Sequence, residues 1–224
     1  MNSSHHGRGA AGSFDEAVVF DATFWDDRYA SADQIWSGNP NPQLVAEAAA
    51  LTPTNALDIG SGEGADALWL AQRGWQVTAL DISQVALDRA ADHARRVDPD
   101  AAERIAWVQA DLTTNAAPAG PFGLVSSQFM QLPAHQRDPL FRRLAGAVAP
   151  AGTLLVVGHD LSDLHTAPHL RPHRPELMFT VDDIVGLLDP ADWTILAESR
   201  QRSIVDPEGQ SAHVADAVVV ARRH

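Results

Sequence analysis

Residues 57–66 read LDIGSGEGAD, and this stretch decides the fold. The apolar run that ends at Ile59 predicts a short strand, and the sequence from Ala65 to Arg73 predicts a helix. Three glycines lie between them, and glycine permits both a tight turn and the close approach of main-chain N–H groups to a ligand. The stretch therefore predicts a strand, a ligand-binding turn and a helix at the carboxyl edge of an open α/β sheet.

Short apolar strands continue to alternate with amphipathic helices along the rest of the chain. This alternation predicts a Rossmann-like α/β fold, with a seven-stranded, mostly parallel sheet and helices on both faces. A turn signal at residues 206–209 separates the last two strands and predicts a C-terminal antiparallel hairpin at one edge. The predicted strands are 56–59, 75–80, 104–110, 122–126, 153–158, 193–204 and 214–221, and the predicted helices are 43–51, 65–73, 83–96, 136–149 and 180–188. The turn residues Pro150-Ala151-Gly152 are expected to end the helix before the fifth strand.

The length of 224 residues suits one such domain, which we assign to residues 54–224. Residues 1–13 are too poor in apolar groups to order and predict a disordered N-terminal tail. Residues 14–53 are rich in aromatic side chains and predict a separate helical segment ahead of the sheet. We expect a cytoplasmic protein with no membrane partner, because the chain lacks a long apolar run and a signal-peptide pattern.

Composition excludes several kinds of chemistry. All 16 basic residues are arginine, and the chain has neither lysine nor cysteine. Schiff-base chemistry, a P-loop lysine, thiol nucleophiles and cysteine-held metals are therefore excluded. The formal net charge of −13 argues against a nucleic-acid partner, since phosphate binding requires a basic surface.

Two aspartates refine the interpretation of the glycine turn. Asp58 lies inside the first strand, two residues before Gly60, and Asp81 ends the second strand, where a carboxylate can accept both hydroxyls of a ribose. A carboxylate beside the turn would repel a pyrophosphate but suits a ligand whose nearby end is cationic. S-adenosylmethionine has an ammonium, a sulfonium and a ribose but no phosphate, and fits this pattern.

At these residues the sequence resembles the class I S-adenosylmethionine-dependent methyltransferases, over roughly residues 24–221. Residues 58–64 (DIGSGEG) look like their first motif, and residues 78–83 (TALDIS) look like the acidic loop after the second strand. Residues 109–112 (QADL) look like the third loop, and residues 150–154 (PAGTL) are similar to their Pro-Gly-Gly turn, with Ala151 in place of one glycine. The lead-in FWDDRY at 24–29, followed by WSG at 36–38, resembles the small-molecule, thiopurine/tellurite-resistance type.

The resemblance implies S-adenosylmethionine as cofactor and a small-molecule acceptor that is methylated on O, N or S by in-line displacement. It also implies that residues 14–53 form a lid over the cofactor. By the same resemblance, Asp111 accepts a hydrogen bond from the adenine amine, and the Leu112 main chain contacts the adenine ring. Gln128 faces the methionine moiety of the cofactor. The expected cofactor-binding residues are Trp36, Asp58, Gly60, Ser61, Gly62, Gly64, Asp81, Ile82, Asp111, Leu112 and Gln128.

Histidines near the sheet edge are the candidates for acid–base chemistry. His159 follows the fifth strand and is a candidate general base or substrate contact, although the preferred alternative is that His159 and Asp160 are a polar pair that terminates the strand. His135 follows the fourth strand and is the second candidate, with capping of the next helix as its alternative. The spacing of His165, His169 and His173 suggests metal ligands on a helix, but three interspersed prolines forbid a regular helix. No metal site is therefore expected, and a substrate-covering loop is preferred there.

Two other functions remain open at this point. One is a non-catalytic sensor that binds S-adenosylmethionine or a nucleotide without turnover. The other is an NAD(P)-dependent oxidoreductase, since Gly60-x-Gly62-x-x-Ala65 satisfies the relaxed dinucleotide fingerprint. The absence of lysine, and the position of the single tyrosine (Tyr29) ahead of the sheet, argue against the oxidoreductase. No pattern in the sequence fixes the oligomeric state.

Overall fold

The computed structural model describes residues 20–114, 118, 120–130, 132–167, 170, 174–205 and 209–224. The predicted tail at residues 1–13, as well as His169 and His173, lie outside these residues. The described helices are α1 (Ala22–Ala30), α2 (Pro42–Ala48), α3 (Ala65–Gln72), α4 (Gln84–Val97), α5 (Pro99–Ala102), α6 (Ala134–Gly146), α7 (Asp163–Thr166) and α8 (Val181–Val185). The described strands are β1 (Asn55–Ile59), β2 (Gln76–Asp81), β3 (Ile105–Gln109), β4 (Phe122–Gln128), β5 (Val148–His159), β6 (Trp193–Val205) and β7 (Ser211–Arg223).

The seven strands form one sheet in the order β3-β2-β1-β4-β5-β7-β6. The first five strands pair in parallel, whereas β7 runs antiparallel to both β5 and β6. This arrangement confirms the predicted mostly parallel sheet with a C-terminal antiparallel hairpin. Because β1 pairs with β2 on one side and with β4 on the other, the chain reverses its winding direction at β1. That reversal opens a crevice at the carboxyl ends of these strands.

Both faces of the sheet are buried, and strand β5 shows this directly. Leu154 and Val156 pack in one apolar cluster together with Leu144 of α6, while Leu155 and Val157 pack in a second cluster on the opposite face. The second cluster includes most of α3. Successive side chains of a strand point to opposite faces, so a run of four buried residues requires cover on both sides. The prediction from the apolar run at residues 154–157 is therefore confirmed.

Helix ends follow local capping signals. The Ser83 hydroxyl accepts a hydrogen bond from the Ala86 N–H at 3.1 Å and starts α4. At α8, Thr180 and Asp183 form the reciprocal capping box that their spacing predicts. Such caps satisfy N–H groups in the first helical turn that have no intrahelical acceptor.

The predicted boundary between the fourth helix and the fifth strand is wrong. The sequence predicts a helix to residue 149, whereas α6 ends at Gly146 and β5 already begins at Val148, which pairs with Phe122. The turn residues Pro150-Ala151-Gly152 lie within β5, where Ala151 has a φ of +58° and the register with β4 shifts. The turn residues form an irregularity in the pairing of β4 with β5 and do not end the strand. Strand β5 therefore extends beyond the apolar run from which it was predicted.

Within the described residues, no helix has the length and apolar character needed to cross a membrane. The same part of the chain contains no group of three or more His, Asp or Glu side chains arranged to hold a metal ion.

Candidate functional site

A cavity of about 620 Å³ opens at the carboxyl ends of β1, β2 and β4. Its volume falls in the range of small-molecule sites, roughly 300–1,000 Å³. The cavity is bounded by the glycine turn after β1, by the loops after β2 and β3, by the ends of β4 and β5, and by the segment ahead of the sheet. All eleven predicted cofactor-binding residues line it, so the structure brings the whole predicted set together.

Two positions of the glycine turn require glycine, both because neighbouring atoms lie close and because the backbone has a positive φ. Gly62 and Gly64 have φ values of +50° and +82°, which L-residues with side chains rarely adopt. A Cβ on Gly62 would lie 2.8 Å from the Tyr29 hydroxyl oxygen, and one on Gly64 would lie 2.6 Å from the Trp107 ring. The turn therefore packs tightly on both sides, and its main-chain N–H groups are held at the cavity wall.

Asp81 links the end of β2 to this turn. Its carboxylate accepts hydrogen bonds from the Gly62 N–H at 2.8 Å and from the Ser83 N–H at 2.9 Å. Burial raises the pKa of Asp81 above its ordinary value, and the two hydrogen bonds only partly offset that rise. A carboxylate has about four acceptor positions, so the two remaining ones can face a diol in the cavity.

Asp58 is the most unusual group of the site. The residue is 2% exposed, and its Oδ2 atom is buried without a hydrogen-bond partner in the described part of the chain. Burial raises the pKa of Asp58 well above its ordinary value, and the charges of Asp66 and Asp81 raise it further. A buried carboxylate oxygen without a partner is costly unless a cation or hydrogen-bond donor approaches it. The site is therefore built for a positively charged or donating ligand group.

The loop after β3 supplies a preorganised carboxylate. Burial disfavours the charge on Asp111, but hydrogen bonds from Thr113 and Thr114 outweigh this effect and lower the Asp111 pKa. Leu112 beside it is 3% exposed, and its carbonyl accepts a hydrogen bond from Arg143 at 2.6 Å. Ile82 lines the cavity from the loop after β2, and its carbonyl accepts a hydrogen bond from Gln109.

Two more polar atoms at the cavity lack partners among the described residues. Gln128, at the end of β4, donates to the Ser126 hydroxyl at 2.9 Å, but its own Oε1 is buried with no donor in that set. The Ser61 hydroxyl in the glycine turn is also buried and has no hydrogen-bond partner among the described residues. Natural interiors leave few polar atoms unsatisfied, so such a concentration at one cavity indicates a binding site.

The segment ahead of the sheet is fastened to the glycine turn. The Glu63 carboxylate accepts the N–H groups of Ile35 at 3.2 Å and Trp36 at 3.0 Å. Asp66, in the first turn of α3, accepts the Asn41 N–H at 2.6 Å. Burial raises the pKa of Asp66 to about 6, even though the hydrogen bond from Asn41 lowers it. The connection between α1 and α2 therefore lies directly over the loop that would hold a ligand.

Aromatic side chains of this segment reach the cavity. The Trp36 ring is 50% exposed, and its indole N–H donates to the Tyr29 hydroxyl at 3.0 Å. Tyr29 is itself buried, and burial together with the charge of Asp81 raises its pKa to about 12. Trp25 lines the cavity next to them, with its ring 6.2 Å from that of Tyr29. The cavity mouth thus carries an aromatic wall.

The two candidate histidines occupy different places. His159, at the end of β5, lines the cavity, and its ring centroid lies 4.8 Å from that of Phe129. His135 is exposed in the first turn of α6 and does not line the cavity, so the structure does not bring it to the site. Among the described residues no side chain caps the N-terminus of α6, whose N-cap residue is Pro133, so the alternative role of His135 as a cap is also wrong.

The cavity also contains residues that the sequence does not single out. Phe129 lies in the segment at residues 125–132, which resembles the fourth-strand segment facing the methionine moiety, but nothing marks Phe129 itself, and Arg202 belongs to no motif. Arg202 lies on β6, and only the register of the hairpin brings it near the ends of β4 and β5. Glu63 was seen as part of the glycine turn, but a single sequence gives no signal for its bonds to a segment 27 residues upstream.

Comparison with known proteins agrees with this geometry. The family model described as a methyltransferase domain matches residues 56–152. The chain is 34% identical over 126 residues to an uncharacterized methyltransferase of Mycobacterium tuberculosis, a match that covers 56% of this chain and 61% of that protein. It is 29% identical over 165 residues to the 2-heptyl-1-hydroxyquinolin-4(1H)-one methyltransferase of Mycobacteroides abscessus, covering 66% of this chain and 70% of that one. The chain thus matches less than two thirds of the length of the M. tuberculosis relative.

Solved structures share the architecture over most of the chain. One of them, from work on the conversion of a disulfide bond into a thioacetal group during echinomycin biosynthesis, has a TM-score of 0.69 at 22% identity. The superposition covers 90% of this chain and 91% of that chain. This likeness covers much more of the chain than the matched family domain, and it establishes the fold.

Proposed function

We propose that this chain is a class I S-adenosylmethionine-dependent methyltransferase and that it methylates an O, N or S atom of a small molecule by in-line displacement. The single observation that carries the proposal is the buried Oδ2 of Asp58, which lacks a partner among the described residues and belongs to a side chain that lines the cavity together with the glycine turn. This oxygen requires a donor or a cation, and the cofactor brings an ammonium and a sulfonium. The chemistry of the described residues is therefore compatible with this cofactor.

Each part of the cofactor has a candidate partner. Asp58 and the unpartnered Oε1 of Gln128 would hold the ammonium end, and Asp81 would accept the ribose hydroxyls. Asp111 would accept from the adenine amine. Trp36 would contact the sulfonium, where an aromatic face contributes about 0.5–2 kcal/mol by cation–π attraction. When bound, the cofactor supplies a methyl group on a cationic sulfur, which becomes a neutral thioether as the methyl leaves.

The same residues disfavour a nicotinamide dinucleotide. Its pyrophosphate would lie at the glycine turn, close to Asp58, Asp66 and Asp81. Two phosphate charges beside three carboxylates in a buried site are strongly unfavourable, whereas a cationic ligand gains from the same arrangement.

We further propose that residues 14–53 act as a lid. The bonds from Glu63 and Asp66 to the main chain of this segment support a closed position over the glycine turn. A closed lid excludes water and holds the acceptor in line with the methyl group, and positioning is the main contribution that methyl transfer requires from a protein. His159, at the opposite side of the cavity, would accept a proton from acceptors that carry one.

The proposed class of acceptor rests on two observations. The cavity is a concave pocket of about 620 Å³, which lies within the size range of small-molecule sites. In addition, one relative with 29% identity is named as the methyltransferase of a small hydroxyquinolinone. Both support a diffusible, small acceptor.

Calorimetric titration tests the cofactor. We expect S-adenosylmethionine and S-adenosylhomocysteine to bind and NADH to give no heat, and the reverse pattern would overturn the proposal. A second experiment tests catalysis, with methyl-labelled cofactor and a cell extract separated into small-molecule and macromolecular fractions. Label in the small-molecule fraction is expected, whereas tight binding without any transfer would instead indicate a sensor.

A further inference from the structure

The charges that line the cavity are unevenly distributed. Five carboxylate residues surround the glycine turn and the loops after β2 and β3: Asp58, Glu63, Asp66, Asp81 and Asp111. Among the described lining residues, Arg202 is the one arginine, and it lies with Phe129 and His159 at the ends of β4 and β5. The cavity is therefore negative where the cationic cofactor would lie and carries a positive group at the other side.

Phe129 forms an aromatic contact surface beside that positive group. Its ring centroid lies 4.8 Å from the His159 ring and 5.6 Å from the guanidinium carbon of Arg202. Phe129 also has a φ of +53°, a left-handed conformation that is unfavourable for a residue with a side chain. Such strain persists where the surrounding structure requires it and is concentrated at binding sites. Here it places an aromatic ring at the cavity wall directly after β4.

Arg202 is held in position by a buried partner. Its Nε donates to Asp216 Oδ2 at 2.7 Å, and Asp216 is 1% exposed whereas the Arg202 side chain is 30% exposed. A guanidinium has five N–H donors, and this bond uses one of them. No other hydrogen bond of Arg202 is made within the described part of the chain. The guanidinium is thus anchored through Nε, and its other donors are available at a residue that lines the cavity.

We propose that the acceptor is a planar aromatic compound with an anionic oxygen, which Arg202 binds while Phe129 contacts the ring. Asp216 acts as the positioning residue for Arg202. The inference rests on the proposed function, because it assigns the second ligand of the same cavity. An anionic acceptor is also favoured electrostatically beside a cationic sulfur, and a guanidinium binds oxyanions through short, charge-assisted hydrogen bonds.

Two probes of nearly equal shape test the proposal: 4-nitrophenolate, which is anionic at pH 8.5, and the neutral 4-nitrotoluene. Each is titrated by calorimetry into the protein saturated with S-adenosylhomocysteine. The wild-type protein is expected to bind 4-nitrophenolate roughly tenfold or more tightly than 4-nitrotoluene, as charge-assisted hydrogen bonds imply. In Arg202→Gln this preference is expected to disappear, while the affinity for S-adenosylhomocysteine stays within twofold of wild type.

Two further variants make the test specific. Arg200→Gln is the matched control, because Arg200 lies two residues away on β6, pairs with Glu47 at 2.6 Å and does not line the cavity. It should keep the full preference for the anion. Arg202→Gln removes the guanidinium that pairs with the buried Asp216, so the double variant Arg202→Gln/Asp216→Asn removes both charges of this pair and should fold while also lacking the preference.

Equal binding of the two probes by wild type, no binding of 4-nitrophenolate, or an unchanged preference in both Arg202 variants would overturn this inference alone. Failure of the wild-type protein to bind S-adenosylhomocysteine would instead overturn the proposed function.

Discussion

Asp58→Asn should make the ligand-free protein more stable and bind its cofactor more weakly. The substitution keeps the shape of the side chain and removes its charge. In the ligand-free protein the Oδ2 atom of Asp58 is buried with no partner among the described residues, and two further carboxylates add repulsion. The charge is therefore unfavourable until a cation arrives, and its removal has opposite effects on stability and on binding.

The magnitudes follow from the burial of that oxygen. An unsatisfied buried polar group costs about 1–3 kcal/mol, and a charged one costs more. For a chain of this length each kcal/mol shifts Tm by roughly 2–4 °C, so Asp58→Asn should melt several degrees higher at pH 8. A charge-assisted hydrogen bond contributes about 1.5–3 kcal/mol, so the affinity for S-adenosylhomocysteine should fall roughly 10- to 150-fold.

The sign of the pH dependence follows from the raised pKa of Asp58. Between the ordinary aspartate pKa and the higher value in the folded protein, the native state binds more protons than the unfolded state. Stability contributed by this group therefore falls as pH rises through that interval and stays low above it. The stability difference between Asp58→Asn and wild type should be largest at pH 8 and should shrink as the pH is lowered toward 5.

Thermal melts at pH 5 and pH 8, together with calorimetry at pH 8, check this prediction. Asp88→Asn on α4 is the matched control, because Asp88 is exposed and bonds only to Gln84 among the described residues. A variant that melts at or below the wild-type temperature at pH 8, or that binds S-adenosylhomocysteine with unchanged affinity, would refute the assigned role of Asp58.

Three further variants test other contacts of the site. Asp81→Ala removes the carboxylate proposed for the ribose hydroxyls, and calorimetry should show cofactor affinity lower by about 1.5–3 kcal/mol. Gly62→Ala puts a Cβ 2.8 Å from the Tyr29 hydroxyl, so cofactor affinity should fall by about 1–3 kcal/mol; adding Tyr29→Phe removes that oxygen and should restore part of the loss. Glu63→Gln weakens the bond to the Trp36 main chain, and hydrogen exchange at that amide should accelerate roughly 2- to 10-fold.

Each of these variants has an outcome that would contradict the reasoning. Unchanged affinity in a folded Asp81→Ala protein would exclude the ribose assignment. A Gly62→Ala protein that Tyr29→Phe does not improve would show that backbone conformation, and not the contact with Tyr29, makes glycine necessary. Unchanged exchange at the Trp36 amide in Glu63→Gln would mean that Glu63 does not hold the segment.

The fold was predictable because it follows from local patterns. The apolar run at residues 154–157 and the strand–glycine–helix stretch at residues 57–66 each specify their own element, and their repetition specifies a parallel sheet. The boundary at residues 147–152 was not predictable in the same way. Pro150 and Gly152 signal a turn, but whether a turn ends an element or lies within a strand depends on the partner strand that pairs with it.

The side of the cavity proposed to hold the cofactor was predictable for a related reason. Asp58, Asp81 and Asp111 each lie at or next to a strand end, and the ends of parallel strands meet at one edge, so their spacing along the sequence translates directly into proximity. Arg202 lies on the long antiparallel hairpin instead. Its distance to Phe129 depends on the register of 13 paired positions and on the twist of the hairpin, which local sequence does not encode.

Among the described residues, the hydrogen bonds that fasten the segment between α1 and α2 to the glycine turn, to α3 and to α4 use the peptide groups of the segment. Glu63 and Asp66 accept the N–H groups of Ile35, Trp36 and Asn41, and Arg89 donates to the Ala32 carbonyl. Peptide groups are the same in every amino acid apart from proline, so these attachments place almost no restriction on which side chains the segment carries. Its side chains can diversify toward new substrates while the docking geometry is inherited unchanged, which makes this stretch a natural place to graft altered selectivity.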